Sequence, residues 1–213
     1  GCREAIVRAA DWLAERFAKV GLAADVIHTK GNPLVFAQSP HIDGAATALV
    51  YGHYDVQPPE PLEKWTSPPF EPTLREGCIY ARGASDDKGQ LMTFIEACRA
   101  WKHVHGTLPG NLTIFLEGEE ESGSPSLIPF LTENRAELAC DLALICDTGL
   151  FESAVPAITT MLRGLCKAEF TIRAASRDLH SGMYGGLARN PLHVMSSLLA
   201  NLHDATGAVT RLA

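Results

Sequence analysis

Eight residues able to ionise or bind a metal sit where apolar runs stop. "ALVYGHYD" carries His53 and Asp55, "TIFLEGEEES" carries Glu119, Glu120 and Glu121, and "LALICDTG" carries Asp147. "YARGASDDKG" places Asp86 and Asp87 between a short apolar stretch and the start of a helical pattern. A run that only fills a core ends in turn formers. In an open parallel sheet, ligands bind outside the carboxyl ends of the strands, so these four segments are expected to meet at one edge. So many carboxylates raise one another's pKa, and one or two divalent cations among them would relieve the repulsion.

The spacings support this in different degrees. His53 and Asp55 are two apart, which puts them on one side of a strand. Asp55 can then accept the Nδ1 proton and leave Nε2 free for a metal; a turn-capping aspartate beside a buried histidine is the plainer alternative. Acids before a helix cap free N–H groups and suit the dipole. That explains one of Asp86 and Asp87, not both in succession. A strand-end cap is the plain alternative for Asp147, and a solvated acidic turn for Glu119–Glu121. His180, in "RDLHSGMYGG", lies in a Gly-rich loop where a histidine is commonly just hydrated. His28, His41, His103, His105, His193 and His203 fall in surface-like or amphipathic contexts and receive no function.

The elements that must position these groups follow from periodicity. "REAIVRAADWLAERFAKVG" predicts a helix with Ile6, Ala9, Trp12, Leu13, Phe17 and Val20 on one face, stopping at Gly21. "AADVIHTK", "PLVFAQS", "AATALVYG", "CIYARG", "NLTIFLEG" and "DLALICD" read as strands, the last one buried. The prolines of "VQPPEPLEKWTSPPFEP" forbid regular pairing. "KGQLMTFIEACRAWKHV" predicts a helix with Leu91, Phe94, Ile95, Cys98 and Trp101 inward, and "SPSLIPFLTENRAEL" another, capped by Ser124 with Pro125 first. The fold class is therefore α/β: a mostly parallel sheet with helices on both faces over residues 1–154. Residues 155–213 change character. "GLCKAEFTIRAA" alternates as a longer strand, and "PLHVMSSLLANLHDA" predicts a helix opened by Asn190 and Pro191. This reads as the first part of a smaller α+β domain.

The bulk figures exclude some classes. The chain has 213 residues, 46% hydrophobic, and a net charge of −7 with no basic block, which argues against a nucleic-acid partner. The N-terminal pattern is a charged amphipathic helix rather than a signal peptide, and no apolar run is long enough to span a membrane. The six cysteines are scattered without a C-x-x-C pair and mostly within apolar patterns. They read as reduced core residues of a cytoplasmic protein.

Five motifs, "GHYDVQP", "WTSPPF", "YARGASDDKG", "EGEEESGS" and "DLHSGMYGG", resemble in order and spacing the dinuclear zinc exopeptidases. That family includes carnosinases, cytosolic non-specific dipeptidases, glutamate carboxypeptidase and the aminoacylase/deacetylase enzymes. "DVQP", "SDDKG" and "HSGMYGG" resemble its dipeptidase branch most. The resemblance implies two divalent ions, zinc foremost and manganese or cobalt as alternatives, and hydrolysis of dipeptides or short peptides. It implies that His53 and Asp147 bind one metal, that Asp86 bridges both with a cis peptide to Asp87, and that Glu121 binds the second. It further implies that Glu120 is the general base and that Asp55 orients His53. His180 would be a lid histidine that reaches the partner subunit's site in a homodimer.

The chain departs from the family pattern at its ends. The family completes the second metal with a histidine far downstream, and its usual first helix lies before Gly1. The expectation is a fragment of a longer enzyme that alone binds one metal better than two and hydrolyses little or nothing. Two other readings stand beside the peptidase: an N-acyl-amino-acid deacylase of the same family, and a non-catalytic, metal-stabilised scaffold or dimerisation module. The adjacent Glu120 and Glu121 speak against the last, since a binding module has no use for a base.

Overall fold

Helix α1 (Cys2–Lys19) forms where the apolar period is helical, and it stops at Gly21, whose φ of +86° favours glycine. Its buried stripe is Ala10, Leu13 and Phe17, and Val20 just past its end continues it. Trp12, expected on that face, is one residue out of phase with Leu13 and stays 41% exposed. The computed structural model describes residues 2–152 and 154–209. The chain divides into two compact units, Gly1–Thr159 and Thr160–Ala213.

The first unit is built on a five-stranded sheet. Its strands are β1 (Ala23–Ile27), β2 (Leu34–Gln38), β3 (Thr47–His53), β6 (Asn111–Glu117) and β7 (Leu142–Ile145), in the order β1-β2-β6-β3-β7. β3 pairs parallel with both β6 and β7, while β2 runs antiparallel to β1 and to β6. Four of the five strands thus point the same way, and β2 is the exception. A separate ribbon, β4 (Thr73–Arg75) with β5 (Cys78–Tyr80), precedes α2 (Lys88–His105). α3 (Leu127–Glu133) lies between β6 and β7 in sequence.

Both faces of the sheet are covered, as the near-continuous apolar strands require. On one face, residues of α1 pack with Leu91 and Ile95 of α2 against Val35, Ala37, Val50, Ile114 and Leu116. On the other, Leu127, Phe130 and Leu131 of α3 pack with Leu34, Phe36 and Phe115. Phe130 stacks on Phe115 with centroids 5.0 Å apart. Each fully buried side chain of this kind contributes roughly 1.5–3 kcal/mol.

Several expectations need correction. α2 buries Leu91, Ile95 and Cys98 and keeps Phe94 partly buried, but Trp101 is 45% exposed and lies against the His105 ring. The stripe continues instead at Lys102, whose Nζ donates to the Val20 carbonyl at 2.9 Å. β7, expected to be buried, ends the sheet's pairing order and is exposed along its length. Ser124 does not cap α3: it has φ +52°, and its Oγ donates to Glu117, so it finishes the preceding loop and the helix begins three residues later. Among the described residues the cysteines are free, yet only Cys98 is buried; Cys78, Cys140 and Cys166 are exposed.

In the second unit, α5 (Pro191–Ala200) has the expected cap, with Asn190 Oδ1 accepting the Leu192 N–H at 2.9 Å. The loop around His180 contains a one-turn helix, α4 (Ser181–Tyr184). The strand expected from "GLCKAEFTIRAA" is not formed. A strand needs a neighbour for its N–H and C=O groups, and none of the described residues pairs with this one. Leu165, within it, remains 93% exposed.

Candidate metal centre

The strand register decides which side chains meet. β3 and β6 pair from Thr47↔Asn111 to His53↔Glu117, so His53 and Glu117 end their strands level with each other. β3 and β7 pair up to Tyr51↔Ile145, and two further residues along each chain bring Asp147 level with His53. His53 is fully buried. Its Nε2 lies 2.9 Å from Asp86 Oδ1 and 3.9 Å from Asp147 Oδ2, and its Nδ1 lies 3.3 Å from Asp55 Oδ1. One ligand atom each from His53, Asp86 and Asp147 fall within 4.8 Å of one another.

Asp86 and Asp87 divide their work. The peptide between them is cis. Asp86 is exposed toward the imidazole, whereas Asp87 is fully buried, and its Oδ2 accepts the His53 backbone N–H at 3.2 Å. Gly52 makes room for this: a Cβ there would lie 2.7 Å from Asp87 Oδ2 and 2.5 Å from Leu91 Cδ2. Asp87 Oδ1 has no hydrogen-bond partner among the described residues. Burial pushes the Asp87 carboxyl up to about 7, only partly offset by the bond from His53. The next residue, Lys88, donates from Nζ to the Tyr54 carbonyl at 2.6 Å, and burial lowers its pKa.

Asp55 is buried and joins two parts of the site. Besides facing His53, its Oδ1 accepts the Glu120 N–H at 3.2 Å and its Oδ2 the Glu121 N–H at 3.1 Å. Glu120 and Glu121 begin a short 3-10 turn, Glu120–Ser122. Burial raises the Glu120 pKa; the His53 charge opposes this, and Glu121, Asp147 and Asp55 add to it. Glu121 stands outside the three-ligand group, its Oε2 accepting from Gln57 Nε2 at 2.6 Å. His180 lies in the second unit, where its Nδ1 accepts the Gly182 N–H at 3.1 Å.

The donors suit a divalent cation. Burial alone would lower the His53 pKa, but the hydrogen bond and charge of Asp55, then Asp86 and Asp147, push it up to about 9. The surrounding carboxylates favour positive charge at the imidazole, and one imidazole with carboxylates is a donor set for zinc, manganese or cobalt.

Some neighbours of the site were not legible beforehand. Glu117 is buried, and its Oε1 accepts from Tyr51 Oη at 2.5 Å and from Ser124 Oγ at 3.0 Å. Burial and this bond raise the Tyr51 pKa. Tyr51 stands two residues before His53 on β3, a spacing that could have flagged it. Glu119, counted among the edge carboxylates, instead accepts N–H groups from Asn32 and Ser126.

This sheet edge gathers clustered carboxylates around one buried imidazole. Residues 49–206 match Peptidase family M20/M25/M40, and the chain belongs to that family. It is 32% identical over 223 residues to the "Cys-Gly metallodipeptidase dug1" of Schizosaccharomyces pombe, covering 97% of this chain and 46% of that one. It is 31% identical over 179 residues to the human "Beta-Ala-His dipeptidase", covering 83% of this chain and 35% of that protein. Among solved structures it is similar to the M20 family metallo-carboxypeptidase Sso-CP2 from Sulfolobus solfataricus. That match has a TM-score of 0.76 and 30% identity, over 96% of this chain and 46% of the other. The chain spans less than half the length of these relatives.

Proposed function

We propose that the protein hydrolyses the amide bond of dipeptides or short peptides with the help of two divalent metal ions, zinc foremost. The observation that carries this is the convergence of His53, Asp86 and Asp147 within 4.8 Å, with Asp55 tying His53 to the Glu120–Glu121 turn. His53 and Asp147 would hold one ion, and Asp86 and Glu121, the latter released from Gln57, would contribute to holding the second. When bound, the ions would polarise the scissile carbonyl and lower the pKa of the attacking water. Glu120 takes the proton from the attacking water oxygen and delivers it to the leaving amine nitrogen. Its raised pKa suits a group that must accept and then release a proton near neutrality. Asp55 holds the His53 imidazole with Nε2 toward the ligand group. His180 would donate to the developing oxyanion in the site of the partner subunit of a homodimer.

The names of the relatives favour dipeptides over N-acyl amino acids, since they are called a Cys-Gly metallodipeptidase and a Beta-Ala-His dipeptidase. The free cysteines among the described residues suit a reducing compartment such as the cytoplasm. The test is turnover of a dipeptide panel against N-acetyl amino acids by the zinc-loaded full-length protein, with metal content measured on the same sample. Dipeptide cleavage that is lost on chelation and restored by zinc is the expected result. Cleavage of the acetylated substrates alone would move the protein to the deacylases, and zinc retention without any turnover would make it a scaffold.

A further inference from the structure

Glu119 is the member of "EGEEES" that faces away from the metal-ligand group. It is 5% exposed, and both of its carboxylate oxygens are engaged by main-chain donors. Oε1 accepts the Asn32 N–H at 2.9 Å, and Oε2 accepts the Ser126 N–H at 3.1 Å. Asn32 returns a bond from its Nδ2 to the Gly118 carbonyl at 2.5 Å. Thr29 completes the contact: its Oγ1 donates to the Asn32 carbonyl at 2.7 Å and accepts from Ser126 Oγ at 3.2 Å. The Glu119 carbonyl in turn accepts the Ser122 and Ser124 N–H groups at 3.0 and 2.9 Å.

We propose that Glu119 is a positioning residue for the Glu120–Glu121 turn. Its carboxylate clamps the turn onto the β1–β2 connection from one side while Asp55 holds the same turn from the other. This rests on the hydrolase reading, in which Glu120 and Glu121 are base and ligand. The clamp requires two acceptors, because it joins N–H donors from two segments 94 residues apart in sequence. Glutamine supplies one acceptor and turns an NH₂ toward the other donor, and alanine supplies none. The clamp also requires Gly31, where a Cβ would lie 1.5 Å from Glu119 Oε1. Glycine there leaves the space in which the carboxylate sits.

Three variants test it: Glu119→Gln, Glu119→Ala and Gly31→Ala. The last leaves the Glu119 chemistry intact and displaces it by a methyl group, so it serves if either Glu119 variant fails to fold. Backbone amide exchange and zinc titration are read at a temperature where circular dichroism shows each variant folded. Exchange at Glu120, Glu121 and Ser126 should rise about tenfold or more, with the core of β3 and β6 unchanged. Zinc affinity should fall by roughly 10–100-fold, the usual cost of losing a group that orients a ligand, and Glu119→Gln should lie between wild type and Glu119→Ala. Unchanged zinc affinity, or faster exchange spread evenly over the sheet, would reduce Glu119 to a stabilising contact and overturn the proposal. A wild-type protein that binds no zinc would refute the hydrolase reading instead, and the localised exchange change would still report the clamp.

Discussion

Asp55 Oδ2 accepts the backbone N–H of Glu121 at 3.1 Å while the other oxygen of the same carboxylate faces His53 Nδ1 at 3.3 Å. One buried side chain therefore sets both the orientation of an imidazole on β3 and the main chain of a turn after β6. Asp55→Ala would leave the Glu120 and Glu121 N–H groups and the imidazole without their acceptor. Zinc affinity should fall by about 10–100-fold. Asp55→Asn keeps an acceptor and should lose less. Isothermal titration with zinc checks both, and equal affinities in all three proteins would remove Asp55 from the site.

Glu120 is proposed as base rather than ligand, and the two roles separate cleanly. In the full-length protein Glu120→Gln should lower dipeptide turnover by about 10²–10⁴-fold, the usual worth of general acid–base catalysis, with metal content unchanged. Elemental analysis beside a turnover assay decides it. Lost metal would reassign Glu120 as a ligand.

The thiols give a test of burial and of pH dependence together. Burial pushes Cys98 up to about 11, with the neighbouring Cys146 adding to the shift. It thus lies well above the ordinary thiol value of 9.0. The stability contributed by keeping this thiol neutral is full below about pH 9 and is lost as pH rises toward 11. Urea denaturation at pH 8 and pH 10.5 should show a smaller alkaline loss for Cys98→Ala than for wild type. At pH 8 a thiol reagent should label Cys78, Cys140 and Cys166 in the native protein, but Cys98 only after unfolding.

Two aromatic substitutions should differ in cost although both rings lie on regular elements. Phe115 is 1% exposed and stacked on Phe130, so Phe115→Ala should destabilise by about 3–5 kcal/mol. Trp101 is 45% exposed on α2, and Trp101→Ala should cost under about 1 kcal/mol. Denaturant titration of each variant measures the difference. A large loss at Trp101 would restore the inward face expected from helical spacing.

That contrast shows where sequence patterns carry and where they stop. The apolar runs ending at His53 and Asp147 marked strand ends directly, because an apolar period that stops at ionisable groups has reached the edge of the core. Whether a neighbouring acid turns inward or outward was not legible. Glu117, Glu119, Glu120 and Glu121 are chemically alike in the sequence, and the short turn at Glu120–Ser122 sorts them. Glu119 takes its donor from Asn32, 87 residues away, a pairing no local period reveals. β7 reads as buried because four apolar residues in a row fit a covered strand. Its exposure follows from its place at the end of the pairing order, which depends on every other strand. Trp12 and Trp101 failed for a simpler reason, since a 100° step on a helix separates a core position from its neighbour.

β7 has one hydrogen-bonded neighbour among the described residues, and its outer rail of N–H and C=O groups runs beside side chains as greasy as Leu142 and Ile145, which are 54% and 55% exposed. Such a rim is a ready template for strand addition. A further strand, whether from the same protein or from a second copy, can add along that rim and lengthen the sheet. A lysine placed at Leu144, 42% exposed in the middle of the strand, is the natural gatekeeper against it.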